Sequence, residues 1–462
     1  MEDFDLVVIG GGAAGEKGAA QAAYFGKKVA LVEREPSFGG AMVNTGTLPS
    51  KTLRESALYL SGFRQRGLHG VEMGLTRQAT VDDLLFRLEQ VVAAERLRIA
   101  ANLDRHRVRC FQGEARFVDP HTIAVKGEAG ETRLSARHVL IATGSTPRRP
   151  AAFPFEHQRV YDSDEIVRVH AIPGTMVVVG GGVIGCEYAC LFATLGAKVT
   201  VVEARPTILG FLDGEVVALL EGRMRALGID FKKPAQVARC EAAADGVALT
   251  LEDGARLEAD LALVCAGRQG NVAALDLAAA GLQANARGQL EVDARFRTKV
   301  PHIAAVGDVI GFPALASTSM EQARVAVVHF FDLKYKTSMA PVFPYGIFTI
   351  PEVSMVGESE EALQKAGVPY VKGVADLSAN ARGAMIGETG LLKLLFRGDD
   401  MKLVGVHLLG EGATELVHVG LMAMLAGATA DLFIEACFNY PTLSEAYKYA
   451  TYDALRRRQE GR

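Results

Sequence analysis

Short apolar runs recur along the chain, and the most informative of them end in glycine-rich turns. Two such runs, over residues 6–9 and 176–179, lead through glycines into stretches of small residues, and a second apolar run follows each. A short apolar run bounded by turn residues is typical of a buried strand in a parallel sheet. Both regions therefore predict a strand, a tight turn, a helix and a strand, which is the unit of a doubly wound α/β domain.

Further along the chain, the pattern predicts more strands, two helices and a change of architecture. Apolar strands that end in small-residue turns are predicted at three places, which are 139–144, 262–268 and 302–308. Leucine and valine recur at helical spacing across 81–104, and another helix is predicted to begin near Ala316. From about Lys336, two segments (390–396 and 403–409) predict antiparallel strands mixed with helices. The fold class is therefore α/β, with a third domain that carries no nucleotide motif.

The two glycine turns share the spacing of a dinucleotide-binding fingerprint. In both, GxGxxG follows the first strand, and 23 residues separate its first glycine from a glutamate that ends the second strand. The glycines let the backbone approach a pyrophosphate at the helix N-terminus, and the acid sits where a ribose hydroxyl would donate to it. The residues are Gly10, Gly12, Gly15 and Glu33 in the first copy, and Gly180, Gly182, Gly185 and Glu203 in the second. Two dinucleotides held in one chain indicate that electrons pass between them.

Composition and charge narrow the class of protein. The 462 residues are 49% hydrophobic, enough for several cores, and the formal net charge of −4 provides no basic field for nucleic acid. The acidic start lacks the regions of a signal peptide, and the most apolar later stretch, 419–430, is too short to span a membrane. The cysteines form no CxxC motif and no metal-ligand grouping with histidine, so no metal site is predicted. We expect a cytoplasmic enzyme without membrane or nucleic-acid partners.

Several segments together carry a family resemblance that covers nearly the whole chain. Besides the two fingerprints, they are Leu48-Pro-Ser-Lys51 and Ala305-Val-Gly307-Asp308. Their order resembles the two-dinucleotide-binding flavoprotein reductases, the group of dihydrolipoamide dehydrogenase, glutathione reductase and mercuric reductase. The resemblance implies a glutathione reductase-like fold that has two Rossmann-like domains and forms a homodimer or a higher homo-oligomer. The implied parts are an FAD-binding domain (1–150 and 273–335), an NAD(P)-binding domain (151–272) and a C-terminal α+β dimerisation domain (336–462).

The resemblance also implies roles for individual residues. Lys51 matches the lysine beside flavin N5 and Glu187 matches its ion-pair partner, so these two are the predicted catalytic residues. A cation near N5 and a helix N-terminus at Ala316 would both stabilise negative charge on the reduced ring. Asp308 would accept a hydrogen bond from a ribityl hydroxyl of FAD. The other cofactor-binding residues implied are Gly40, Ala115, Thr143, Gly144 and Gly267.

The chain departs from the disulfide reductases at both halves of their dithiol chemistry. Met42 and Thr47 occupy the positions of the two redox cysteines, and neither residue forms a disulfide or a thiolate. Tyr440 stands where those enzymes have a histidine, and a phenol with a pKa of about 10 is a poor proton shuttle at neutral pH. Dihydrolipoamide, glutathione and mercuric reductase activities are therefore rejected. A structural role is predicted for Tyr440 instead, with a cis bond to Pro441.

A flavin that exchanges hydride with nicotinamides remains. The chain resembles the soluble, FAD-dependent pyridine nucleotide transhydrogenases at 161–164, 185–188, 267–271, 306–311 and 438–447. This implies ping-pong transfer, in which NADPH reduces FAD and leaves, and NAD⁺ then enters the same pocket and removes the hydride. Glu203 favours NAD(H) and repels a 2′-phosphate. We therefore predict that Arg205 swings toward that phosphate and so accommodates NADP(H).

Two other functions remain open from the sequence. One is an NAD(P)H:quinone or diaphorase-type reductase, in which Met42, Thr47 and Tyr440 line an apolar pocket for a flat acceptor. The other is a non-catalytic FAD-binding subunit, against which Lys51 and Glu187 argue. Turnover with a second nicotinamide nucleotide would separate the transhydrogenase from both alternatives.

Overall fold

The structure is a computed structural model, and it describes residues 2–62, 68 and 79–460. The strands before the middle of the chain are β1 (Glu2–Ile9), β2 (Val29–Glu33), β3 (Arg109–Gln112), β4 (Glu114–Asp119), β5 (Thr122–Gly127), β6 (Gly130–Ile141), β7 (Ser145–Pro147), β8 (Val160–Asp162), β9 (Thr175–Val179), β10 (Lys198–Val202) and β11 (Ile229–Lys232). The later strands are β12 (Val237–Ala243), β13 (Gly246–Leu251), β14 (Arg256–Ala259), β15 (Leu261–Val264), β16 (Arg268–Gly270), β17 (Ile303–Ala305), β18 (Tyr345–Ile347), β19 (Val353–Gly357), β20 (Tyr370–Asp376), β21 (Leu391–Arg397) and β22 (Leu403–Leu409).

The α-helices of the described residues confirm those that the sequence predicts after each fingerprint turn, across 81–104 and near Ala316. They are α1 (Ala13–Tyr24), α2 (Gly40–Asn44), α3 (Thr47–Leu60), α4 (Val81–Arg105), α5 (Val183–Thr194), α6 (Gly214–Ala226), α7 (Ala316–Phe330), α8 (Glu360–Ala366), α9 (Ala381–Ile386), α10 (Ala413–Leu425), α11 (Ala430–Glu435) and α12 (Ala446–Glu460). Helix α4 begins after a capping box, in which Thr80 and Asp83 each bond to the other's backbone N–H. No described helix combines the length and apolar character needed to cross a bilayer.

The first sheet is built around the first fingerprint. Its strand order is β3-β2-β1-β6-β5-β4, and β17 pairs with β6. Strands β3, β2, β1, β6 and β17 run parallel, whereas β4, β5 and the start of β6 form an antiparallel ribbon. The central strands are apolar on both faces because both faces are covered. One face packs against α1, α4 and α7, and the other packs against β4, β5 and the segment 272–292. Strand β17 thus returns to this sheet from the later part of the chain.

The second sheet repeats this arrangement around the second fingerprint. Its order is β11-β10-β9-β15-β8, all parallel, and an antiparallel sheet of β12, β13 and β14 lies beside it. The chain passes between the two nucleotide-binding units twice, and the two passages pair as antiparallel strands β7 and β16. The predicted domain boundaries stay predictions.

The C-terminal sheet is antiparallel, with order β18-β19-β22-β21-β20, which confirms the predicted change of architecture. A buried lysine joins it to the second unit. Lys393 of β21 bonds to Asp213 (2.8 Å), Glu215 (2.9 Å) and Glu360. Burial alone would lower the pKa of Lys393, but these carboxylates raise it. A buried charge that loses its partners costs roughly 3–5 kcal/mol. Separation of the second unit from the C-terminal sheet would take Asp213 and Glu215 away from Lys393, so the cluster holds the two together.

Candidate active site

The first fingerprint turn requires glycine for steric reasons. Gly10 has φ +103°, and a Cβ there would lie 2.4 Å from the carbonyl oxygen of Ala142. A Cβ on Gly15 would lie 1.8 Å from the carbonyl oxygen of Gly10. The turn therefore brings α1 close to β1, with its N-terminus at the edge of the sheet. Glu33 is buried at the end of β2, and its Oε2 accepts a hydrogen bond from the N–H of Gly11 at 2.7 Å.

The second turn has the same geometry, but an arginine side chain is paired with its glutamate. A Cβ on Gly185 would lie 1.9 Å from the oxygen of Gly180, and Glu203 Oε2 accepts from Gly181 N–H at 2.6 Å. Glu203 Oε1 also accepts from both the backbone N–H and the side-chain Nε of Arg205, each at 2.9 Å. Burial opposes ionisation of Glu203, yet these hydrogen bonds lower its pKa below the ordinary value. Glu203, the predicted ribose-binding acid, is thus an ionised carboxylate paired with a cation.

A continuous cavity of about 1800 Å³ runs from the first turn to the inner side of the second unit. It brings together eleven of the predicted site residues, which are Gly10, Gly12, Glu33, Gly40, Lys51, Ala115, Thr143, Gly144, Glu187, Asp308 and Ala316. The other predicted residues lie outside this cavity, and they are Gly15, Gly180, Gly182, Gly185, Glu203, Arg205 and Gly267. The cavity therefore contains most of the predicted FAD site and the predicted flavin-facing residues, whereas the glycines and the glutamate of the second fingerprint do not line it.

The cavity fits FAD by the chemistry of its lining. A Cβ on Gly40, which has φ +52°, would lie 2.9 Å from Cα of Gly12, so the two backbones form a narrow cradle at the start of α1. Such a cradle of N–H groups suits a pyrophosphate. Thr143 Oγ1 is buried and has no hydrogen-bond partner among the described residues. An orphaned hydroxyl beside a large cavity indicates a partner supplied by the ligand.

Lys51 and Glu187 meet where the cavity reaches the second unit and Phe348, a region that we call the inner end of the cavity. Lys51 Nζ lies 2.6 Å from Glu187 Oε2, and the other carboxylate oxygen accepts from Phe348 N–H at 2.9 Å. Lys51 Nζ also lies 5.0 Å from the centre of the Phe348 ring. Arg54, one turn further along α3, is buried and donates to the carbonyl of Thr349 at 3.2 Å. Elements of all three parts of the chain thus hold the Lys51 ammonium in one place.

Sequence reasoning gave no role to several polar side chains that line this cavity. Arg268 bonds to Ser145 and Asp164, and Ser145 donates to Asp308 at 2.8 Å. The sequence contained a partial signal, because Arg268 directly follows a strand-ending glycine at the predicted site. Phe348 acts through its backbone N–H, so residue type gave no signal for it.

The positions that replace the redox groups carry no thiol chemistry. Met42 packs against the apolar core of the first unit, and Thr47 is the first residue of α3. All six cysteines are free, and burial raises the pKa of Cys190 to about 12 and that of Cys186 well above its ordinary value. The bond between Tyr440 and Pro441 is cis, as predicted, and Tyr440 is exposed on the chain.

Family profiles and individual relatives both match the chain to the same protein family. The profile described as pyridine nucleotide-disulphide oxidoreductase matches residues 4–328, and the dimerisation domain of the same family matches 343–451. A soluble pyridine nucleotide transhydrogenase from Mycobacterium tuberculosis is 47% identical over 98% of this chain and 98% of its own. One from Pseudomonas putida is 40% identical over 98% and 99% of the two chains.

Two solved structures share the fold over nearly their whole length. LpdA from Mycobacterium tuberculosis superposes with a TM-score of 0.90 at 26% identity, covering 98% of this chain and 99% of the other. The HOCl-induced flavoprotein disulfide reductase RclA from Escherichia coli has a TM-score of 0.88 at 27% identity, covering 97% and 99%. The similarity therefore extends through both nucleotide-binding units and the C-terminal domain.

Proposed function

The chain belongs to the pyridine nucleotide-disulphide oxidoreductase family, an FAD-binding family of enzymes that act on nicotinamide nucleotides, and we propose that it is a pyridine nucleotide transhydrogenase. In this proposal the chain transfers hydride between NADPH and NAD⁺ and works as a cytoplasmic homodimer or higher homo-oligomer. The relatives that carry the transhydrogenase name match it over almost its full length. The dimerisation domain of the family supports the homo-oligomer.

The pairing of Arg205 with Glu203 is the observation that carries the proposal. A transhydrogenase has to accept nucleotides both with and without a 2′-phosphate. Glu203 provides the acceptor that a ribose 2′-hydroxyl needs, and Arg205 Nε lies 2.9 Å from its Oε1. The Arg205 side chain is 60% exposed, so its guanidinium is free to turn from the carboxylate to a phosphate. A site with Glu203 alone would repel NADPH.

The inner end of the cavity supports a reaction that needs no protein thiol. When bound, FAD supplies the two-electron centre that accepts a hydride from one nicotinamide and gives it to another. Lys51 would place a positive charge beside the reacting end of the ring, and Glu187 holds the ammonium at 2.6 Å. The N-terminus of α7, at Ala316, adds partial positive charge along the same cavity.

Reduction of thio-NAD⁺ by NADPH, measured anaerobically with purified protein, tests the proposal. Because both nucleotides would use one pocket in turn, we expect rapid turnover with parallel lines in double-reciprocal plots. Lys51→Met should lower kcat about 100-fold, since it removes charge stabilisation made mainly in the transition state. Lys334→Met is the matched control, because Lys334 is 80% exposed and pairs with the exposed Asp332, and it should change kcat less than about twofold.

A menadione assay with NADH separates the remaining functions. Turnover with menadione but not with thio-NAD⁺ would replace the proposal with a quinone reductase. Bleaching of the flavin by NADH without turnover on either acceptor would indicate a non-catalytic flavoprotein.

A further inference from the structure

The two passages of chain between the nucleotide-binding units are joined by side chains as well as by strand pairing. Ser145 begins β7 on the outgoing passage, and Arg268 begins β16 on the return passage. Arg268 Nε donates to Ser145 Oγ at 2.8 Å, and Nη2 donates to the Ser145 carbonyl at 2.8 Å. On its other side, Arg268 Nη1 donates to Asp164 Oδ1 at 2.8 Å. One guanidinium thus connects Ser145 with a carboxylate that follows β8 of the second sheet.

The direction of hydrogen bonding at Ser145 is fixed by the donor inventory. A guanidinium only donates, so Ser145 Oγ accepts from Arg268. The hydroxyl has one proton, and Asp308 Oδ2 lies 2.8 Å away as its acceptor. Ser145 is buried, so little water competes for this proton. The chain of bonds therefore runs one way, from Arg268 through Ser145 to Asp308.

We propose that Arg268 and Ser145 are positioning residues for the FAD-binding carboxylate. The bond from Ser145 occupies Oδ2 of Asp308 and fixes the plane of the carboxylate, which leaves Oδ1 to accept from FAD. Because Asp164 belongs to the predicted NAD(P)-binding unit, retention of FAD depends on where that unit sits. The inference rests on the proposed function, since it takes Asp308 as the residue that binds FAD.

A purely structural role for Arg268 makes a different prediction. If Arg268 only clamped the two passages, its loss would lower the stability of the fold, and it would affect FAD release independently of Ser145. If it acts through Ser145, the two substitutions affect the same bond, so their effects on FAD release do not add. Non-additive effects would therefore show that Arg268 acts through Ser145, an arrangement that we call the relay. Additive effects would show that Arg268 only holds the two passages together.

The rate of FAD release from the holoenzyme after dilution, followed by flavin fluorescence, provides the test. Ser145→Ala and Arg268→Met should each speed release about tenfold, as expected for loss of a hydrogen bond to a charged group. The double variant should release FAD no more than about twofold faster than Arg268→Met alone. Ser163→Ala is the matched control, because Ser163 contacts the same guanidinium at 3.3 Å but not Asp308, and it should stay near the wild-type rate.

Asp308→Asn separates failure of the relay from failure of the site assignment. If Asp308→Asn releases FAD at the wild-type rate, Asp308 does not bind FAD as proposed. If Asp308→Asn releases FAD quickly while Ser145→Ala does not, or if the effects of Ser145→Ala and Arg268→Met add, the relay is overturned. Transhydrogenase turnover of the wild-type protein is measured independently, so neither result decides that activity.

Discussion

The two fingerprint turns hold their glutamates in the same way, yet the side chain two positions further on has the opposite charge. Glu33 and Glu203 each accept from a glycine-turn N–H, at 2.7 and 2.6 Å, and from the N–H two residues on, at 2.9 Å in both. In the first copy that next residue is Glu35, whose side chain pairs with a neighbouring arginine. In the second it is Arg205, whose side chain turns back onto Glu203.

We infer from this difference that each fingerprint turn sets the position of its glutamate, and that one nearby side chain decides which ribose the site accepts. Two backbone N–H groups hold the carboxylate in the same orientation at both sites. At the first site Arg34 pairs with Glu35 and not with Glu33, so no cation is paired with Glu33 among the described residues, which suits a ribose that carries no phosphate. At the second site Arg205 pairs with Glu203, and such a pair suits the proposed binding of a nucleotide that carries a 2′-phosphate.

The largest effects are expected from alanine at a glycine inside either turn, because each substitution should disable only one of the two sites. Because a Cβ on Gly15 or Gly185 would lie 1.8 or 1.9 Å from a carbonyl oxygen, either alanine would push its helix away from its strand. Gly15→Ala should lose FAD, with release at least about 100-fold faster, whereas Gly185→Ala should keep FAD but lose reduction by NADH to the same degree. The flavin-to-protein absorbance ratio and anaerobic bleaching by NADH measure the two effects. Loss of FAD from Gly185→Ala with normal bleaching of Gly15→Ala would contradict the assignment of the two sites.

Replacement of each glutamate by glutamine tests whether the two carboxylates have separate roles, one in FAD binding and one in the choice of nicotinamide nucleotide. Glu33→Gln should weaken FAD binding about tenfold, because one amide oxygen replaces two carboxylate oxygens that accept from two backbone N–H groups. Glu203→Gln should lower kcat/KM for NADH about tenfold and leave that for NADPH unchanged or higher. Steady-state kinetics with each nucleotide checks the second effect. An equal fall for NADH and NADPH would indicate that Glu203 does not contact the ribose.

The smallest expected effect is on stability and pH. Since the folded-state pKa of Glu203 is depressed, the stability from its pairing is present above the unfolded value of about 4.3 and is lost as pH falls through the folded value. Arg205 is mostly exposed, so Arg205→Gln should cost about 0.5 kcal/mol at neutral pH and lower Tm by about 0.5 °C. Below pH about 4 the difference should shrink toward zero. Glu35→Gln is the control at the first site, and a Tm difference for Arg205→Gln that grows in acid would refute the pairing.

The sequence predicts those features whose signal is local. Fingerprint spacing predicts the two turns and both glutamates, and apolar periodicity predicts α4 within one residue at its C-terminal end. Residue type alone does not place Lys51 next to Glu187, since 136 positions separate them. The family resemblance supplied that pair, and their proximity appears only in the folded chain.

Three sets of contacts in the folded chain had no usable signal in the sequence. The Phe348 N–H that holds Glu187 is a backbone group, which any residue but proline provides. The bonds from Arg268 through Ser145 join positions 123 residues apart, and the Lys393 cluster joins positions 180 apart. Tertiary packing decides which polar side chains meet at such distances, so periodicity and spacing along the chain do not reveal them.

The most direct test of the account is the ratio of kcat/KM for NADPH to that for NADH in flavin reduction, compared between the wild-type protein and Arg205→Gln. The account predicts that the substitution lowers the ratio about tenfold or more, because a guanidinium contact to the 2′-phosphate is lost while Glu203 stays ionised. An unchanged ratio would contradict the claim that Arg205 admits the phosphate, and it would leave the second fingerprint as a site for NADH.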